Sequence, residues 1–571
     1  MLFKLRFSKS PESPSGELTV NAGSFSVTLG SVTGYDAAAK DNGGLSEKFF
    51  EVSFTQAGIK RSCLVWNDLS AVEFPMYEGT FEYPAPGSTL ELRVINFRMI
   101  TDYHDNIVNR STVSMFNKKI PETPGNIFIL EDPVKDEATV FISCAPDYAK
   151  SVFSVENGVA RLENGGHGVV AGKCRLNESD KLCRAWYRKK CRQSKLFTLA
   201  NNWGWGDFNA YYKRVCEDFV KKEIDASSEL GLDSFQIDDG WQTGNTNDPA
   251  IRDENNKRTF YGDFWLLNKE RFPGGMEKIC GYAKEKGVVP GLWFAPHSKN
   301  RFELLDRDVS VLENAYKNWG IRNFKLDMIN IKDMESFLKF RKMLDSIYSF
   351  GDGVSVQLDV TNGVRGGFFS LDKYGRIFVE NRFTALSTAY PFRVMRNLWD
   401  LCRYIPAFKF QFELVDPALY ADRYDEDDVL APSYYDMDYL FAGVMFSNPL
   451  FWMATQFLPE KQREELSRVF PVWKEIREEL AFCDVVPAGD RPDGASFTGF
   501  AAYSPDGNVC YLNVFREVNG RSKHVFELEK NVKSVIKLAS NADISFVADK
   551  NRISVDFGKP RSYALFRIEL Q

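Results

Sequence analysis

Asn323-Phe-Lys-Leu-Asp327, followed from Asp333 to Phe350 by an amphipathic segment, is the stretch that decides the fold. A short apolar run that ends in a polar residue and then gives way to a helical period is one β/α unit. The same rhythm runs upstream, in Leu196-Phe-Thr-Leu-Ala200, Ser234-Phe-Gln-Ile237 and Val289-Pro-Gly-Leu-Trp-Phe294. It continues downstream in Val354-Ser-Val-Gln-Leu358, Arg376-Ile-Phe-Val379, Phe410-Gln-Phe-Glu-Leu414 and Pro449-Leu-Phe-Trp-Met453. Further amphipathic segments lie at Tyr211–Leu230, Gly275–Lys286 and Pro459–Leu480. Eight strands, most with a following helix, over roughly 290 residues predict a (β/α)8 TIM barrel. The helix after the fifth strand carries the weakest pattern.

Outside the barrel the period changes. Gly16-Glu-Leu-Thr-Val-Asn21, Phe25-Ser-Val-Thr-Leu29 and Thr89-Leu-Glu-Leu-Arg-Val-Ile95 alternate with period two between turn residues, with no convincing helix among them. Alternation returns in Asn508-Val-Cys-Tyr-Leu-Asn-Val514, Ser534-Val-Ile-Lys-Leu538 and Tyr563-Ala-Leu-Phe-Arg-Ile568. The reading is a multidomain α/β chain: an N-terminal β-sandwich over 1–185, the catalytic barrel over 190–482 and an antiparallel C-terminal β-sandwich domain over 484–571.

A length of 571 residues suits several domains, and 44% hydrophobic with 26% charged residues is a globular balance. The formal charge of −6 is spread through the chain without a basic stripe, which argues against nucleic acid. No apolar run is long enough to cross a bilayer, and the first residues lack the apolar core of a signal peptide, so a cytoplasmic location is expected. The ten cysteines form no Cys-x-x-Cys pair and the four histidines are far apart, so neither a disulfide framework nor a metal site is expected. Aromatics at 14% suit large cores and also clefts where rings stack on sugars.

Barrel enzymes carry their chemistry at the C-terminal ends of the strands. Here the sequence sets Asp238 and Asp239 after the second strand, Asp327 after the fourth, Asp359 after the fifth and Glu380 after the sixth. Like charges gathered in a concavity are costly unless a ligand or cation uses them. Lys325 and Asp327 are two apart and face one side, so the cation either keeps a nucleophilic carboxylate ionised or forms a structural ion pair. Asp238 and Asp239 suit either sugar hydroxyls or a divalent cation. Trp203, Trp205 and Trp293, at strand ends, are either stacking walls or core.

The order Ile237-Asp-Asp-Gly-Trp241, Gly291-Leu-Trp-Phe-Ala-Pro296 and Phe324-Lys-Leu-Asp327 resembles the α-galactosidase clan, especially glycoside hydrolase family 36. The resemblance implies Asp327 as nucleophile, Asp238 and Asp239 as acids gripping the sugar, and Trp293, Lys325 and Trp203 lining the subsite. The family places an Arg and, four residues later, an Asp at the end of strand six. This chain has Arg376 and Glu380 at that spacing, so Glu380 is expected as acid/base and Arg376 as a further substrate-binding residue. Asp359 is assigned to the subsite floor and competes, with Asp372, for the acid/base role. The family's Cys-Ser-Ser-Gly-Gly-like loop is replaced by Asp359-Val-Thr-Asn-Gly-Val-Arg-Gly-Gly367, and the stretch between strands three and four is shorter. The implied activity is a retaining, exo-acting α-glycosidase on an oligosaccharide or glycoside, foremost α-galactoside, working by double displacement without a cofactor. The alternatives are a raffinose-synthase-like transglycosylase, a glycosidase for α-N-acetylgalactosamine or a pentose, and a sugar-binding protein without turnover. A homo-oligomer is compatible with the resemblance.

Overall fold

The structure, a computed structural model, describes residues 3–7, 16–41, 48–56, 58–87, 89–97, 108–146, 148–191, 195–201, 215–246, 248–251, 260–359, 373–379, 389–418 and 421–571. They form two compact units, one built on the elements up to Lys190 and one from Leu199 onward. In the first, an antiparallel sheet of 11 strands faces one of four. Alternate residues such as Phe74, Leu92, Phe128, Phe141 and Phe153 meet in a single apolar core. This is the layered sandwich that period-two patterning dictates. One element departs from expectation. Ser179–Lys190 is a helix and crosses the anticipated boundary at residue 185. Its buried Leu182, Cys183, Trp186 and Tyr187 recur at helical spacing. Buried Glu73 fastens it to the sheet, accepting from Trp66 Nε1 and Trp186 Nε1 at 3.1 Å each and from Lys190 Nζ at 2.8 Å.

The second unit opens with a closed barrel of eight parallel strands. They are β1 (Leu199–Asn201), β2 (Ser234–Ile237), β3 (Val289–Phe294) and β4 (Asn323–Leu326). The circle is completed by β5 (Ser355–Leu358), β6 (Arg376–Val379), β7 (Phe410–Leu414) and β8 (Asn448–Trp452). Every expected strand is present. Helices α1 (Glu217–Leu230), α2 (Met276–Glu285), α3 (Leu305–Asn314) and α4 (Met334–Tyr348) follow β1 to β4 in turn. Helix α5 (Pro391–Leu401) follows β6 and α6 (Met437–Val444) follows β7. The segment after β5, where the helical pattern is weakest, lies largely outside the described residues.

Register sets which side chains share a height inside the barrel. Partners run from Phe294 to Leu326, Leu358, Ile377 and Phe410. Carried on through β8, β1 and β2, the same ladder returns to β3 at Lys286, eight residues lower. A shear of eight stacks the interior in layers of four drawn from alternate strands. One layer takes Asn201, Trp293, Asp359 and Glu413 from the odd strands. The layer above takes Asp238, Asp327 and Trp452 from even strands, and the layer below takes Gln236, Lys325, Phe378 and Leu450.

After β8 the expected helix Pro459–Leu480 is two helices, α7 (Glu460–Leu466) and α8 (Phe470–Phe482). Pro471 explains the break, since it lacks an amide proton and its ring clashes with the carbonyl four residues earlier. The chain ends in antiparallel sheets of five and three strands around Phe497, Leu512, Ile553 and Phe566. The five-stranded sheet meets the barrel's helices, with Asn513 Nδ2 donating to the Ala442 carbonyl at 2.8 Å and Arg491 paired with buried Asp400 at 2.6 Å.

Candidate active site

Lys325 is the centre of the site. Its ammonium is 3.0 Å from Asp238 and 3.2 Å from Asp359, and all three side chains are almost fully buried. The Phe378 and Trp452 rings cradle the same nitrogen at 4.5 and 4.9 Å. A cation over aromatic faces gains from their quadrupoles, and charge-assisted bonds strengthen away from water. Burial alone drives the Lys325 pKa down, but Asp238, Asp359 and Asp327 together raise it above its ordinary value. The lysine is therefore a fixed positive charge. Its direct partners are not the one anticipated: the spacing of Lys325 and Asp327 suggests a mutual pair, whereas the ammonium bonds the acids of β2 and β5.

Asp327 is held differently. Its amide donates to the Phe294 carbonyl at 3.0 Å and thus extends the parallel ladder one residue past β4. One carboxylate oxygen accepts from Trp293 Nε1 at 2.9 Å and the other from the Met328 amide. Met328 adopts φ 55°, a left-handed turn costing on the order of 1 kcal/mol or more for a side chain of its kind, and that turn folds its amide back onto the carboxylate. Trp293 is itself fixed, because Trp241 Nε1 donates to its carbonyl at 2.9 Å and the Trp265 ring packs 5.9 Å away. Burial pushes the Asp327 pKa up to about 7, and the Asp359 charge adds to the rise, while Lys325 and the Trp293 bond oppose it. The group thus ionises near neutrality, with both oxygens oriented.

The acids after β2 separate. Asp238 faces Lys325, whereas Asp239 accepts from Gln242 Nε2 at 2.6 Å and from the Thr246 hydroxyl. Successive residues of an extended chain point to opposite sides, so this split is what the backbone imposes. Arg376 needs a larger correction. It begins β6, not the mouth, and its guanidinium lies 4.0 Å over the Phe197 ring and 3.0 Å from the Ser355 hydroxyl. Burial pushes its pKa down to about 10. Arg376 therefore belongs to the N-terminal end of the barrel, far from Asp327, and does not join the sugar-binding set. Trp203, Trp205, Asp372 and Glu380 lie outside the described residues. Phe378, Trp452 and Glu413 were not anticipated as site residues, although the alternation of Phe410-Gln-Phe-Glu and Pro449-Leu-Phe-Trp sends them inward.

Among the described residues no three or more His, Cys, Asp or Glu side chains are arranged to hold a metal ion, and the Lys325 ammonium takes the position the acids share. Asp238 and Asp359 leave acceptor capacity for hydroxyls, and Asp327 presents an oriented oxygen beside them. No helix among the described residues is long and apolar enough to cross a membrane.

The described site is thus an oriented carboxylate beside a lysine-centred set of acids at one end of a parallel barrel. Known proteins share part of the chain's sequence and its fold. The melibiase family model matches residues 170–322. The chain is 35% identical over 109 residues to α-galactosidase Mel36A of Lactobacillus acidophilus, a match covering 19% of this chain and 13% of that one. It is 22% identical over 181 residues to an α-galactosidase of Oryza sativa, covering 30% of this chain and 37% of that one. These matches span far less than two thirds of the relatives' length. In fold the likeness is wider: the glycoside hydrolase family 36 α-galactosidase AgaA of Geobacillus stearothermophilus superposes with a TM-score of 0.65 at 13% identity, covering 97% of this chain and 91% of that one. The α-galactosidase of Lactobacillus brevis gives 0.67 at 11% identity, covering 100% of this chain and 87% of that one. The chain is melibiase-like, with the architecture of glycoside hydrolase family 36.

Proposed function

We propose that this protein is a retaining exo-α-galactosidase. The observation that carries the reading is the setting of Asp327, whose carboxylate is held by the Trp293 indole and the Met328 amide at the mouth of the barrel. Asp327 attacks the anomeric carbon and forms a glycosyl-enzyme, the step that a fixed, ionisable carboxylate performs in double displacement. Lys325 and the carboxylates of Asp238 and Asp359 bind ring hydroxyls, lysine as donor and the acids as acceptors. Trp293 supplies an apolar wall, and Asp239 binds the sugar through the acceptor capacity that Gln242 and Thr246 leave. Glu380, which follows Val379 at the end of β6, is the proposed acid/base that protonates the leaving oxygen and then activates water. Support comes from the melibiase match over residues 170–322 and from the names of the relatives. An AgaA variant of the same fold has been crystallised with raffinose, which makes oligosaccharides with α-linked galactose the substrates to try first.

The test is a panel of aryl α- and β-glycosides of hexoses and pentoses, with the nascent sugar followed by NMR. Release is expected foremost from the α-galactoside, with α-galactose as the first-formed anomer. β-Galactose as first product would contradict double displacement, and preferred release from a pentoside would reassign the glycone.

A further inference from the structure

Both oxygens of Asp327 are controlled from one neighbouring strand and the segment that follows it. Trp293, on β3, holds one oxygen directly. The other depends on the Met328 amide, and so on a left-handed residue that is not glycine. A methionine adopts that conformation only when its surroundings enforce it. The enforcing segment is Ala295-Pro-His-Ser-Lys-Asn-Arg-Phe-Glu303, just after β3. Within it Ser298 is 9% exposed, and its hydroxyl donates to the Met328 carbonyl at 3.2 Å. The amide and carbonyl of Met328 belong to the two rigid peptides that flank its α-carbon. Fixing the carbonyl from outside therefore restricts the turn that brings the amide back onto the carboxylate.

The serine is itself anchored. The amide of His297 donates to the buried Asp308 of α3 at 2.6 Å. Farther along, Asn300, Arg301 and Phe302 run consecutively at φ 47°, 57° and 55°. Three such residues in a row persist only where packing holds them. Here Phe302 is buried against Phe340 of α4 at 5.5 Å, and Arg301 pairs with Asp333, which caps α4. The β3–α3 and β4–α4 loops are thus joined twice, through Ser298 to Met328 and through Arg301 to Asp333. The geometry points to Ser298 as a positioning residue for the nucleophile, locking the Met328 turn so that its amide stays on the Asp327 carboxylate. The proposal rests on the reading of Asp327 as the nucleophile of an α-galactosidase. An N–H aimed at a carboxylate favours its ionised form, and a fixed carboxylate meets the anomeric carbon in one orientation. Without the serine hydroxyl the turn relaxes, and Asp327 loses a donor and becomes harder to ionise. The charged groups around it, Asp359, Lys325 and Asp238, stay in place when Ser298 is changed.

The test is urea unfolding of the full chain at pH 5 and pH 9, as wild type, Ser298→Ala and Ser298→Thr, each with and without Asp327→Asn. A carboxyl whose folded pKa exceeds its unfolded one destabilises the fold as pH rises between the two, so raising the folded value further enlarges that loss. Ser298→Ala should therefore lower the unfolding midpoint more at pH 9 than at pH 5. In the Asp327→Asn background the two drops should be equal. Ser298→Thr, which keeps the hydroxyl, should behave as wild type. If Ser298→Ala does not fold, Ser298→Cys, of similar size and weaker donor strength, carries the same comparison. Equal drops at both pH values with Asp327 in place would overturn the proposal, since a merely structural bond is blind to that carboxyl. Kinetics of Ser298→Ala on an aryl α-galactoside should show kcat lowered about 10-fold with KM within about threefold. The acidic limb of kcat/KM should move up by about half a pH unit or more. Turnover by wild type with equal drops removes Ser298 and keeps the hydrolase. The pH-dependent drop without any turnover keeps the hold of Ser298 on Asp327 and removes the hydrolase.

Discussion

The two ends of the barrel are built from the same strands and solve opposite problems. At the C-terminal end Asp238, Asp327 and Asp359 crowd around one ammonium, each under 7% exposed. Toward the N-terminal end the inward positions are amides, Gln236, Gln357, Gln411, Asn323 and Asn448, with Arg376 as the cation over an aromatic ring. Amides can be buried with modest penalties, whereas buried carboxylates destabilise the fold unless a partner or ligand compensates them. The difference teaches where chemistry should be sought: ionisable groups gather at the C-terminal end, where barrel enzymes carry their active sites, and neutral amides fill most of the other end.

The largest expected effect separates the two cations. Lys325→Met removes the shared partner of two buried carboxylates and should destabilise the protein by about 3–5 kcal/mol, as breaking a buried pair does. Activity on an aryl α-galactoside should fall by about three orders of magnitude or more at a temperature where the variant is still folded. Arg376→Met, at the other end, should cost about 1–2 kcal/mol of stability and leave kcat and KM within about threefold. Urea denaturation with parallel kinetics checks both. A comparable kinetic loss in Arg376→Met would return that residue to the sugar-binding set.

A smaller effect is one of pH. In the proposed mechanism Asp327 must be ionised to attack, and its pKa is pushed up to about 7 by burial and by Asp359. The acidic limb of kcat/KM should therefore bend near pH 7 rather than near 4 or 5. Stability carries the opposite sign. A carboxyl whose folded pKa exceeds its unfolded value near 3.9 binds extra protons in the folded state, so stability falls as pH rises from about 4 to 7. Asp327→Asn removes that loss. The variant should unfold at a higher temperature than wild type at pH 8, with the difference fading as pH falls toward 4. No difference at pH 8 would mean that Asp327 carries no buried-charge penalty.

The barrel was legible because its periods are strong: all eight strands fall on short apolar runs, most of which end in polar residues. The site was legible in part for the same reason. Alternation correctly sends Asp238, Lys325, Asp327 and Asp359 inward, but it reports side and not height. Arg376 shows the consequence, since four residues along a strand span about 13 Å, enough to separate the floor from the mouth. Asp239 shows another limit, because adjacency in sequence means divergence in an extended chain. The partners of Lys325 were hidden because they depend on the shear of the closed barrel, which no single strand reveals. Glu413 was passed over since one acid among Phe410, Phe412 and Leu414 reads as an isolated polar residue until the register puts it beside Asp359's layer. The helix Ser179–Lys190 was missed because its 3.6 period is brief and follows a long alternating region.

The central claim is that Asp327 becomes covalently bonded to the sugar. The direct measurement uses an activated fluorinated α-galactosyl substrate, whose glycosyl-enzyme is made slowly enough hydrolysed to accumulate, followed by proteolysis and mass spectrometry of the labelled peptide. The account predicts one fluorogalactosyl adduct, on Asp327 within Asn323-Phe-Lys-Leu-Asp327, and none in Asp327→Asn. An adduct on another carboxylate, or rapid turnover of ordinary α-galactosides by Asp327→Asn, would contradict it.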